Sequence, residues 1–141
     1  MTTEKRFGAE GWTPERLGFL AGKTYVITGT TTGTGFEATR TFLSKGASVV
    51  MLNRSAERAN GTITKLKQEF GSEADVTNIH MDLAELESVR KAAAEVLDKV
   101  PTIDGLICNA AISQVAKQEI TVDGFESHLG VNYMGHFVLS R

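Results

Sequence analysis

Apolar positions fall along the chain in two alternating rhythms. Short β-rich runs, "TYVIT" at 24–28, "SVVML" at 48–52, "DVTNIHM" at 75–81 and "DGLICNA" at 104–110, mark four strands. The first is followed at helical spacing by Phe36, Thr39, Phe42 and Leu43, with Gly46 where a helix cap belongs. The second is followed by Ala59, Ile63, Leu66 and Phe70, behind Ser55 as N-cap. After the third come Leu86, Val89, Ala93, Val96, Leu97 and Val100. The last segment predicts a helix from about Gly124 to the end, largely buried because Val131, Tyr133 and Met134 surround Asn132. Ahead of this rhythm, residues 1–22 predict a leader with one short helix. Thr13 is its N-cap, Pro14 and Glu15 form its first turn, and Leu17 and Leu20 pin it to the body.

Strands alternating with single helices give a parallel sheet with crossover connections. Near-continuous apolar strands such as "SVVML" imply a sheet covered on both faces. The expectation for residues 23–141 is therefore an α/β, doubly wound (Rossmann) fold with strand order 3-2-1-4.

Composition narrows the function classes. The chain has 141 residues, 41% hydrophobic and 23% charged, with net charge −2 and no basic cluster, which argues against nucleic acid as a partner. No apolar run approaches the roughly 20 residues of a membrane helix. The polar start "MTTEKRFGAEGW" has no signal-peptide core, so a cytoplasmic location is expected. The single cysteine, Cys108, lies in the apolar run "GLICNAA" and is expected to be buried.

The candidate chemistry begins in "VITGTTTGTGFE", Val26 to Glu37, which joins the first strand to the first helix. Gly29, Gly33 and Gly35 let backbone approach a ligand without a Cβ in the way. The helix start behind them offers unpaired N–H groups and partial positive charge, which suits a pyrophosphate. The hydroxyls of Thr30, Thr31 and Thr32 add donors. A P-loop is excluded, because no lysine lies in this turn.

From about Gly22 to Arg141 the chain resembles the short-chain dehydrogenases/reductases. "TGTTTGTG" (28–35) is similar to their cofactor loop and "HMDLAELESVR" (80–90) to their third-strand exit. "IDGLICNAA" (103–111) is similar to their N-A-G strand end, and "DGFESHLGVNYMGHF" (123–137) to the helix carrying a catalytic asparagine. The last two stretches are closest in wording to the retinol-dehydrogenase-like and protochlorophyllide-reductase-like branches. The resemblance implies a nicotinamide dinucleotide and hydride transfer with a small carbonyl or alcohol, in a family that often forms dimers or tetramers. It places Asp82 and Leu83 near the adenine, and Asn109, Ala110 and Ala111 along the cofactor's path, Ala111 replacing the family's glycine. It makes Asn132 the asparagine of a proton relay.

Cofactor choice is read at the end of the second strand. An acid there binds a ribose 2′-hydroxyl, whereas a 2′-phosphate needs a cation. The sequence offers "MLNRSAER": Asn53 at the acid's position, then Arg54, with Arg58 one turn on. NADP(H) is the expected cofactor, ahead of NAD(H).

The family's serine and Tyr-x-x-x-Lys find no match. Tyr25 and Tyr133, the only tyrosines, are followed four residues on by Gly29 and Phe137. A truncated chain is therefore expected, able to bind cofactor without turnover, and marginally stable or prone to aggregate because its fourth strand is left as an edge. His128, Asn132 and His136 form one stripe at i, i+4 and i+8, better explained by packing than by a metal. Two other readings stand beside the enzyme. One is a non-catalytic dinucleotide- or partner-binding half-domain. The other is a nucleoside-cofactor methyltransferase, which would want an acid where Asn53–Arg54 stands.

Overall fold

The computed structural model describes residues 7–9 and 11–141. Residues 1–6 and 10, part of the expected leader, lie outside the described residues. The leader's short helix is a single 3-10 turn, Pro14–Arg16, and Thr13 makes no side-chain cap. Leu17 and Leu20 are half-buried. The Leu20 N–H donates to the Lys45 carbonyl at 2.8 Å, which ties this segment to the domain.

Four strands build one parallel sheet: β1 Thr24–Thr28, β2 Ser48–Asn53, β3 Val76–His80 and β4 Gly105–Ile107, in the order β3-β2-β1-β4. All three pairings are parallel, with Val26 opposite Val50 and Leu106, and Leu52 opposite Ile79. The expected strand order is thus the observed one. Crossover helices are α1 Gly33–Ser44, α2 Ala56–Phe70 and α3 Leu86–Lys99.

Because successive strand residues point to opposite faces, the sheet feeds two cores. Val26, Val50, Leu52 and Ile79 meet Val89, Ala92 and Val96 of α3. Ile27, Val49, Met51 and Val76 meet Leu43 of α1 and Ala59 and Leu66 of α2. Ser55 caps α2, its hydroxyl accepting from the Arg58 N–H at 3.3 Å. Gly46 follows α1 with φ +83°, a conformation natural to glycine at a helix end.

The fourth strand is shorter than expected and differs in cover. Only Gly105–Ile107 pairs, and only with β1. Among the described residues β4 forms the sheet's open edge, so Leu106 is 38% exposed and Cys108, expected to be buried, is exposed. The same open flank leaves Leu97 at 73% exposure, since the α3 stripe centres on Val89, Ala92 and Val96.

The final helix also departs from expectation. It starts at residue 127, and its middle, Leu129–Met134, is π-helical before α4 Gly135–Leu139. Asn132 and Tyr133 face outward rather than into a core. A pattern read at 3.6 residues per turn cannot register a widened turn, which tertiary contacts select. Among the described residues no helix is long and apolar enough to cross a membrane.

Candidate dinucleotide-binding site

The carboxyl ends of β1, β2 and β3 open onto one cleft of about 260 Å³. Gly29 and Thr31 line it from the first turn, Asn53 from the last position of β2, Arg54 and Arg58 from beyond that strand, and Asp82 and Leu83 from beyond β3. Ala110, Ala111 and Ile112 close it from beyond β4, and Val131 from the final helix. Of the residues expected at the site, eight therefore share this cleft: Gly29, Thr31, Asn53, Arg54, Asp82, Leu83, Ala110 and Ala111. A larger cavity of about 330 Å³ lies at the opposite edge of the sheet, where Thr24, Ser48 and Asp75 begin or precede strands, far from the glycine turn.

The glycine turn is built by contact as much as by torsion. Gly29 adopts φ +68°, and a Cβ there would meet the Ala110 Cβ at 2.8 Å. Gly35 lies under the turn: a Cβ would overlap the Gly29 carbonyl oxygen and approach Asn109 Nδ2 at 2.6 Å. Asn109 holds the turn from behind, its Nδ2 donating to the Thr28 and Gly29 carbonyls at 3.1 and 3.0 Å. Asn109 and Gly35 thus support the wall rather than line the cleft. Gly33, at φ +60°, has open space where a side chain would stand. Thr32 precedes α1 without a side-chain cap, so its hydroxyl does not consume the first N–H groups of the helix. A backbone cradle with free donors at a helix start fits a diphosphate.

Asn53 is buried, and its amide is largely committed inward. Oδ1 accepts from the Thr30 N–H at 2.8 Å, and Nδ2 donates to Thr30 Oγ1 at 2.8 Å and Asn78 Oδ1 at 2.9 Å. Both amide hydrogens are used, and a single lone pair of Oδ1 remains for the cleft. The strut from β2 to the glycine turn through Thr30 and Asn78 was not foreseen in the sequence. Arg54 and Arg58 are exposed, and among the described residues no carboxylate pairs with either. Asp82 shapes the third strand's exit: its Oδ1 accepts from the Ala84 N–H at 2.9 Å, and its own N–H donates to Ser88 Oγ at 2.9 Å.

Asn132 lies outside the cleft lining but is tied to it. Its Oδ1 accepts from the Ile112 N–H at 2.8 Å, and its Nδ2 donates to the Ile112 carbonyl at 2.9 Å. The amide therefore has partners, although the side chain is exposed. The histidine stripe divides its tasks. His128 Nδ1 lies 2.8 Å from Glu126 Oε1, while His136 meets Thr28 and the Asn132 backbone. Glu126 also accepts from the His128 and Leu129 N–H groups. These bonds, the His128 side chain first, hold its carboxyl down to about 2.

Residues 23–141 match the family described as short chain dehydrogenase. The chain belongs to the short-chain dehydrogenases. It shares the family's dinucleotide-binding fold, and the family's members are oxidoreductases that use nicotinamide dinucleotides. Human retinol dehydrogenase 14 is 38% identical over 136 residues, covering 88% of this chain and 40% of that protein. The crystal structure of an uncharacterised protein from Mycobacterium paratuberculosis superposes with a TM-score of 0.79 at 37% identity, covering 92% of this chain and 44% of that one. L-sorbose reductase from Gluconobacter frateurii, solved in complex with NADPH and L-sorbose, gives a TM-score of 0.70 at 25% identity, covering 87% of this chain and 46% of that one. The chain thus spans less than half the length of these relatives.

Proposed function

We propose that this chain is the cofactor-binding part of an NADP(H)-dependent oxidoreductase acting on a small carbonyl or alcohol. The observation that carries the cofactor choice is the pair of exposed guanidinium groups, Arg54 and Arg58, on the cleft wall beyond β2, with no carboxylate partner among the described residues. Between them and the glycine turn stands a neutral, inward-bonded amide, Asn53, which brings no negative charge against a phosphate. A guanidinium fork matches phosphate oxygens and forms charge-assisted bonds to them. The NADPH in the L-sorbose reductase complex supports the same reading by analogy.

In this reading the bound cofactor supplies a transferable hydride, and the residues of the chain hold it. Backbone N–H groups from Thr31 to Gly35 receive the diphosphate. Asp82 and Leu83 flank the adenine side. Ala110, Ala111 and Ile112 form the wall beyond β4, held by the Asn132 amide. Among these residues Asn132 is the one assigned to proton relay. No Tyr-x-x-x-Lys is present in these 141 residues, so binding without turnover is the expected behaviour of the chain by itself. The complete enzyme is read as a homodimer or homotetramer.

A non-catalytic half-domain that binds dinucleotide is the second reading, favoured by that same lack of a tyrosine–lysine pair. A methyltransferase is disfavoured by Arg54 where an acid would be wanted. Equilibrium titration of the chain with NADPH, NADH and S-adenosylmethionine tests the proposal. The expected order is NADPH tightest, NADH weaker and S-adenosylmethionine undetected. NADH binding tighter than NADPH refutes the cofactor choice, and binding of S-adenosylmethionine alone refutes the family of chemistry.

A further inference from the structure

We propose that His136, a buried residue outside the cofactor cleft, is a positioning residue that sets the cleft's walls as one defined neutral tautomer. Its ring bridges two elements far apart in sequence. Nε2 lies 2.9 Å from Thr28 Oγ1, at the carboxyl end of β1, and Nδ1 lies 3.2 Å from the Asn132 carbonyl oxygen in the π-helical turn. His136 is 8% exposed and Thr28 is fully buried, so water does not substitute for either bond.

The proton positions follow from counting lone pairs. A hydroxyl has one hydrogen to donate and two lone pairs to accept with. Thr28 Oγ1 accepts from the Ala110 N–H at 2.9 Å and from the Asn109 N–H at 2.9 Å, the latter shared with the Ile107 carbonyl. Both lone pairs are engaged, so the hydroxyl hydrogen points at His136 Nε2, which must be the bare nitrogen. The remaining ring hydrogen is then on Nδ1, where the Asn132 carbonyl stands ready to accept it. Every donor meets an acceptor in this arrangement and in no other tautomer.

The chain of bonds ends at the cleft. Thr28 orients the Asn109–Ala110 backbone, Ala110 abuts Gly29, and both Gly29 and Ala110 line the cleft. On the other side, Asn132 grips Ile112, a further lining residue, with its side chain while its carbonyl is held by His136. One imidazole therefore fixes the glycine turn, the strand-β4 exit and the π-turn relative to one another without touching a ligand. Only the binding arm of the following test rests on the dinucleotide reading.

Nitrogen NMR of the histidine-labelled chain at neutral pH reads the tautomer directly. A bare Nε2 and a protonated Nδ1 are expected, and a protonated Nε2 overturns the proposal. Two variants then test positioning. His136→Gln keeps an acceptor and a donor on one planar group, and His136→Phe keeps bulk with neither. Hydrogen exchange of the Asn109 and Ala110 amides is expected to quicken about tenfold in His136→Phe relative to the Val89 amide, and to be restored in His136→Gln. Equal quickening at Val89 means a purely structural loss and overturns the proposal, as does no change. NADPH binding is expected to weaken about tenfold in His136→Phe and less than about threefold in His136→Gln. Equal weakening in both variants also overturns it. If the unaltered chain binds no dinucleotide, the proposed function fails, and the tautomer and exchange readouts still decide the role of His136.

Discussion

Replacing Arg54 with alanine isolates the feature on which the proposed cofactor choice rests. Arg54 is exposed on the cleft wall immediately after the buried Asn53, and no described carboxylate pairs with it. A hydrogen bond to a charged group contributes about 1.5–3 kcal/mol. Solvent screening around an exposed guanidinium places the effect at the lower end, about 1.5 kcal/mol, or roughly tenfold in Kd for NADPH. NADH carries no 2′-phosphate, so its Kd should move by less than about twofold. Arg54→Lys should retain part of the preference, because an ammonium keeps the charge but loses the fork. Loss of Arg58 as well should deepen the effect by less than the sum of the single changes, since both cations would address one phosphate. Fluorescence titration with both cofactors at fixed ionic strength measures the ratio, with circular dichroism confirming the fold. Raising the salt should weaken NADPH more than NADH. An equal loss for both cofactors in Arg54→Ala, or tighter NADH binding by the unaltered chain, would refute the reasoning.

Three further outcomes follow from the geometry. Gly35→Ala places a Cβ against the Gly29 carbonyl and Asn109 Nδ2; overpacking of about 1–3 kcal/mol should lower the melting temperature and weaken NADPH binding more than tenfold, and unchanged values would contradict the packed turn. Glu126, held down to about 2 against an ordinary 4.5, stabilises the fold above pH 4.5, and that contribution is lost as pH falls toward 2. The stability gap between the unaltered chain and Glu126→Gln, followed by acid titration, should close over that window, and a gap independent of pH would count against the assignment. The open edge of β4, beside an apolar groove lined by Leu97, Ile103, Leu106 and Leu139, should drive concentration-dependent association. Sedimentation velocity should detect it and Leu106→Lys should reduce it, whereas a monomer at all concentrations would contradict the inference.

Much of this architecture was legible in the residues. The helix that follows each of the first three strands came from periodicity, because "SVVML" and the Ala59–Leu66 stripe report two packed faces, and the strand order came from the doubly wound topology that alternating strands and crossover helices imply. The cleft's contributors lie at strand exits: Gly29 and Arg54 were read there from the residues themselves, whereas Asp82 and Ala110 came from the family resemblance. Cover was not legible at the fourth strand. "GLICNAA" reads as buried by composition, but Leu106 and Cys108 sit on an open flank, and burial depends on neighbours that a local pattern does not contain. Polar connectivity was equally hidden. Asn53 bonds Thr30 and Asn78 across 23 and 25 residues, and His136 bonds Thr28 across 108. Such pairs have no local signature, since the sheet brings them together only after folding. The π-turn around Asn132 belongs to the same class, because a side chain pulled to Ile112 is a tertiary event.

Backbone donors at the start of α1, gripping a dinucleotide's diphosphate, carry the proposed function. A crystal structure of the chain with NADPH tests this most directly. Diphosphate oxygens are expected within hydrogen-bond distance of N–H groups in the turn from Thr31 to Gly35, with the 2′-phosphate facing Arg54. A turn left empty at saturating NADPH, or a diphosphate bound anywhere else on the molecule, would contradict it.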